Sequence, residues 1–127
     1  MTRDEVDKAS ETQLDTWVAV HVMRWTAETG PDGRQWWRRD GGQKILQQEW
    51  NPSRSIGDAW QALEAVPEEW VIRRVSRSTE EQPQRLYRCE LYCGPDRETA
   101  DVYIQGPTPT IAIARAVLHA TFLGANS

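Results

Sequence analysis

The sequence predicts a single α+β domain. A three-stranded antiparallel sheet, with room for a fourth short strand, is packed by three helices in the order α-loop-α-β-β-β-α. Three observations carry this. Apolar residues recur at helical spacing near residues 14–25 and 56–66. Three segments with strand-like alternation follow between residues 70 and 105, joined by short polar links. A nearly continuous apolar run from Ile111 to Leu123 then closes the pattern. A chain of 127 residues suits one core and needs no metal or disulfide to hold it.

Residues 1–10 read as a frayed polar tail. The first helix is expected over Glu11 to Thr26: Ser10 and Gln13 have capping-box spacing, and Leu14, Trp17, Val18, His21, Val22 and Trp25 form one stripe. Gly30-Pro31 ends that region. From residue 27 to 51 the pattern fails, and the reading is a long irregular loop rich in Trp and Arg. Lys44 to Gln47 is the place for the fourth short strand. Asn51-Pro52-Ser53-Arg54-Ser55 opens the second helix, in which Ile56, Ala59, Trp60, Leu63 and Val66 make the buried stripe and Pro67 is the stop. The strands are expected over Trp70 to Arg77, Arg85 to Cys93 and Thr99 to Gln105, with Gly94-Pro95-Asp96 as the turn between the last two. Thr108 caps the last helix and Pro109 takes its first position.

The net charge of −4 opposes non-specific binding to a phosphate backbone. No apolar run is long enough for a membrane span. The acidic N-terminal stretch lacks the apolar core of a secretory signal, so the expected location is the cytoplasm. Cys89 and Cys93 are four apart in a strand, about 13 Å along it, too far for a disulfide. Their spacing from the two histidines matches no zinc pattern, so neither metal nor cofactor is expected. No phosphate-cradling glycine loop, HExxH or GxSxG motif is present, and the cysteines read as small core residues. No catalytic residue is assigned; the expectation is a non-enzymatic protein.

Three features suit binding. The stretch PDGRQWWRRDGG places Trp36 and Trp37 among Arg34, Arg38 and Arg39. Tryptophan and arginine anchor binding surfaces and stack on flat ligands, although large rings also serve cores. Ser53 and Arg54 stand at a helix start, where free N–H groups suit an anion; plain capping is the structural alternative. Arg115 and His119 share one face of an otherwise apolar helix. A buried arginine needs a partner, either an internal carboxylate such as Asp58 or Glu64 or a ligand phosphate.

From residue 52 onward the element order is that of the double-stranded-RNA-binding domain, but the last helix opens with TPTIAIARAVLHA and has no lysine cluster, so double-stranded nucleic acid is not an expected partner. Three segments, LDTWVAVHVMRW at 14–25, WNPSRSIGDAWQALEAV at 50–66 and TPTIAIARAVLHA at 108–120, resemble the phage ABA-sandwich family. Where that family usually carries Gly before the final Trp of the first segment, this chain has Arg24. The resemblance implies an α+β sandwich of phage origin and no enzymatic activity. With the Trp and Arg features, it leads to the expectation of a phage binding protein in the host cytoplasm that sequesters a small, anionic, nucleotide-derived immune signal. The alternative is a module that grips a host protein through the Trp/Arg loop; self-association stays open.

Overall fold

A computed structural model describes residues 3–39, 41–66, 70–77, 87–93 and 102–125. Helix α1 (Arg3–Lys8) and helix α2 (Glu11–Trp17) are followed by a π-helical turn (Val18–Val22). Strands β1 (Thr26–Thr29), β2 (Gln35–Arg38) and β3 (Lys44–Leu46) come next, then a 3₁₀ turn (Gln47–Glu49) and helix α3 (Ile56–Glu64). Strands β4 (Trp70–Arg77), β5 (Tyr87–Cys93) and β6 (Val102–Gly106) lead to helix α4 (Pro109–Ala125). The fold is α+β, as the sequence predicts. Its helix starts are also where the capping residues place them. Ser10 and Gln13 form a reciprocal capping box, Ser55 Oγ accepts from Asp58 N, and Thr108 Oγ1 accepts from Ile111 N.

Three regions differ from the expectation, and so do two side chains: Ile56 and Trp60, read into the buried stripe of α3, are 59% and 52% exposed. The 27–51 stretch is not an irregular loop: β1, β2 and β3 form a second antiparallel sheet with Trp37 paired to Ala27 on one side and Ile45 on the other. Its hairpins turn at Gly33 (φ 82°) and at Gly41 and Gly42 (both φ 87°), left-handed positions that glycine enters without a Cβ clash. The strands are only three or four residues long, too short for a period of two to declare itself. Residues 3–8, expected to be frayed, form α1, and Val6 is fully buried. The first long helix is also shorter than expected. It widens into the π turn after Trp17, and Arg24 (φ 62°) then reverses the chain into β1.

The sheet of β4, β5 and β6 is antiparallel in the order β4-β5-β6. Cys89 and Leu91 of β5 and Ile104 of β6 are buried, as the period-two reading of β5 implies. Helix α4 packs against β4, β5, β6, α1, α2, the π turn and α3. Ile113, Ala114, Ala116, Val117, Leu118 and Ala120 are fully buried, so it is the central rod of the core. At the β6–α4 junction, a Cβ on Gly106 would lie 2.8 Å from Ala112 N, and only glycine fits that approach. Among the described residues, no helix is long and apolar enough to cross a membrane. The expected turn at 94–96, the stop at Pro67 and the outer ends of the second and third expected strands lie outside the described residues.

Candidate functional site

The site is built around Ser53, which lies in the turn ahead of α3 and is 2% exposed. Its N–H donates to Asp15 Oδ1 of α2 at 2.8 Å, its hydroxyl to the Glu11 carbonyl at 3.4 Å, and its own carbonyl accepts from Thr110 Oγ1 of α4 at 2.6 Å. One serine thus ties α2, the pre-α3 turn and the start of α4. The turn is held further by Asn51 N donating to Asp58 Oδ2 at 2.9 Å.

Beside this junction a cleft of about 300 Å³ opens between α2, the β1–β3 sheet and the turn. Asp15, Trp37, Trp50, Asn51 and Arg54 line it, with Thr12, Thr16 and the amides of Gln47 and Gln48. That volume lies at the small end of ligand sites, typically about 300–1,000 Å³. Trp37 and Trp50, 3% and 1% exposed, form its floor. Trp50 packs edge to face on Trp25, with centroids 4.6 Å apart at 62°, and the Arg39 guanidinium sits 5.0 Å from the Trp25 ring centre. That stack fixes the Trp50 indole. Its Nε1 is buried and has no hydrogen-bond partner among the described residues, an arrangement that costs a donor its full desolvation penalty.

Asp15 is the buried charge of the cleft, 6% exposed. Burial raises its carboxyl above the ordinary value of 3.8, and the hydrogen bonds from Ser53 and the field of Arg54 only partly oppose this. Arg54 is exposed at the cleft edge. Its Nη2 donates to Asn51 Oδ1 at 2.8 Å, and its Nε stands 3.6 Å from Glu11 Oε2.

The structure brings together Trp37 and Arg54 of the residues singled out from sequence, with Ser53 behind them as a buried tie whose backbone and hydroxyl are engaged internally. It places the others elsewhere. Trp36 and Arg38 lie on the opposite face of β2 from Trp37, where Arg38 and Lys44 both pair with Glu28. Those two cations hold the Glu28 carboxyl below its ordinary range. Arg39 serves Trp25. Among the described residues Arg115 meets no carboxylate. Its Nη1 donates to the Gln105 carbonyl and its Nη2 to the Asp7 carbonyl, both at 3.0 Å, which joins α4 to β6 and α1. His119 lies on the same side, with Nε2 3.7 Å from Asp7 Oδ1. Neither lines the cleft, so Arg54 and Arg115 do not converge.

Sequence reasoning missed Asp15, Trp50 and Asn51. Asp15 had a usable signal: it is a carboxylate set between Leu14 and Val18, one helical step inside the buried stripe. Cys89 is free and fully buried, its thiol pushed up to about 12 by burial, so it stays a protonated core side chain at neutral pH. Among the described residues, no group of three His, Cys, Asp or Glu could hold a metal ion.

With this geometry in place, comparison with known families adds one finding. The model described as the Phage ABA sandwich domain matches residues 16–118. That span takes in the π turn, both sheets, α3 and α4 through Leu118. A search of curated proteins returns no match.

Proposed function

Taking as premise that the chain belongs to the Phage ABA sandwich domain family, we propose that it is a non-enzymatic binding protein whose ligand is small, anionic and nucleotide-like. The carrying observation is the cleft: a preformed indole floor, a ring of amide and hydroxyl groups, and an exposed guanidinium at the edge. A flat heterocycle lies against the floor, and a phosphate reaches outward to Arg54, whose fork suits phosphate oxygens. In this reading the protein acts in the host cytoplasm and works as a sponge, lowering the free concentration of a nucleotide-derived immune signal by binding it without turnover.

Calorimetric titration of the full chain with 5′-mononucleotides, linear and cyclic dinucleotides and cyclic ADP-ribose isomers tests this. Saturable heat with at least one ligand is expected, with Arg54→Ala weakening it about tenfold or more, the worth of one charge-assisted contact. The ligand should be recovered unchanged on denaturing the complex. No heat with any ligand rejects the proposal, and a converted ligand rejects its non-enzymatic part.

The alternative, a module that grips another protein, now draws support from a different place than the Trp/Arg stretch. Trp37 is in the core, whereas Ile56 and Trp60 lie one turn apart on α3 and are 59% and 52% exposed. Such an apolar pair suits a protein surface or a second copy of the chain. Sedimentation of the chain and of Trp60→Glu addresses the second-copy form; a monomer in both cases removes it.

A further inference from the structure

We infer that the cleft reads the base of its ligand and selects guanine, with Asp15 accepting from the base's imino and amino groups. The inference rests on the proposed nucleotide-like ligand and deepens it. Two residues that line the cleft carry polar groups with unmet hydrogen-bonding capacity. The Asp15 carboxylate offers about four acceptor positions, and the Ser53 N–H takes one of them. Trp50 Nε1 is a buried donor with no partner among the described residues. The buried carboxylate is costly in a free cleft and becomes favourable when a ligand supplies its complement.

The complement has a defined chemistry. An acceptor with spare capacity calls for adjacent donors on the ligand. Guanine presents N1–H and N2–H₂ side by side, which matches the two oxygens of one carboxylate, and carries O6 and N7 as acceptors. Adenine has an amino group flanked by a ring acceptor, which a carboxylate repels. Uracil offers a single imino donor between two carbonyls. A carboxylate deep in the cleft also disfavours phosphate there, which leaves the phosphate to Arg54 at the exposed edge. The ligand is therefore oriented base inward.

The test titrates the unmodified chain with GMP, IMP, AMP and UMP up to millimolar concentration, following tryptophan fluorescence and heat. IMP is guanine's analogue without the amino group. GMP is expected to bind about tenfold or more tighter than IMP, the effect of losing one hydrogen bond to a charged acceptor, and tighter still than AMP or UMP. Asp15→Asn, which keeps an acceptor for Ser53 N, should erase the GMP preference: GMP binding weakens, and AMP binding holds or strengthens as the carboxylate's repulsion of the adenine ring nitrogen is removed. Its folding is checked by a thermal melt, and the four-ligand series on the unmodified chain stands without it. Equal affinity for the four bases overturns the inference and leaves the broader nucleotide reading in place. A GMP preference that survives in folded Asp15→Asn also overturns it. Absence of binding by all four overturns it too, while a ligand found in the wider nucleotide panel would keep the broader reading separate.

Discussion

At the scale of single residues, Arg24 shows a local conflict and its reason. The chain must reverse between the π turn and β1, and Arg24 does so at φ 62°, a region that costs a residue with a Cβ about 1–2 kcal/mol. A glycine at this position would take the dihedral without a Cβ clash. Arg24→Gly is expected to raise stability, but by less than the full strain, because glycine also loosens the unfolded chain. A gain of about 0.5–1 kcal/mol in urea denaturation is the expected outcome, and a loss would mean that the Arg24 side chain contributes contacts worth more than the dihedral. The departure at Arg24 was visible in the sequence; its meaning was not, because a letter does not carry a dihedral. The same limit applied to Asp15. Its place in the stripe could be read, but that it opens on a cleft depends on Trp37 and Trp50 arriving from elsewhere in the chain.

At the scale of elements, helices α2, α3 and α4 were legible from their caps and apolar stripes, and the β4–β5–β6 sheet from strands long enough to show their period. The β1–β2–β3 sheet was not. Its evidence lay in the turns, Pro31-Asp32-Gly33 and Gly41-Gly42, while the strands between them alternate through Glu28, Trp36 and Arg38 on one face and Ala27 and Trp37 on the other for too few residues to show a period. Helix α1 was illegible for a different reason. Six residues do not make a helix alone; it is held from outside, by Val6 in the core and by Arg115 reaching the Asp7 carbonyl. Arg115→Ala should therefore act on the fold. Losing two charge-assisted hydrogen bonds and orphaning two carbonyls should cost about 2–4 kcal/mol by chemical denaturation, with cleft binding unchanged in the folded fraction. Lost ligand binding at full stability would move Arg115 back to the ligand.

At the scale of the whole molecule, stability should depend on pH through Asp15. Burial raises its folded carboxyl above 3.8, so the folded state takes up this proton more readily than the unfolded chain. The associated stabilisation is fully present below the unfolded value and is lost as pH rises through the raised folded value. At neutral pH the ionised carboxylate is thus a net burden on the fold. Asp15→Asn should melt at or above the parent at pH 7, with its advantage shrinking as the pH falls through the carboxylate range; paired thermal melts at pH 7 and pH 4 measure this. A variant less stable than the parent at both pH values would show that the Asp15–Ser53 tie outweighs the burial.

The central position of α4 has a consequence for how the molecule comes into being. Every described element that α4 touches is synthesised before it. While the ribosome works through both sheets, Leu14, Val18, Leu63 and Leu91 have no α4 surface to cover them, and the pairings that finish the core span most of the chain. Such non-local closure is slow and leaves apolar surface open during translation. The nascent chain is therefore at its most aggregation-prone just before α4 emerges, and a polypeptide stopped at β6 would be a client for chaperones or proteases, not a partly working protein.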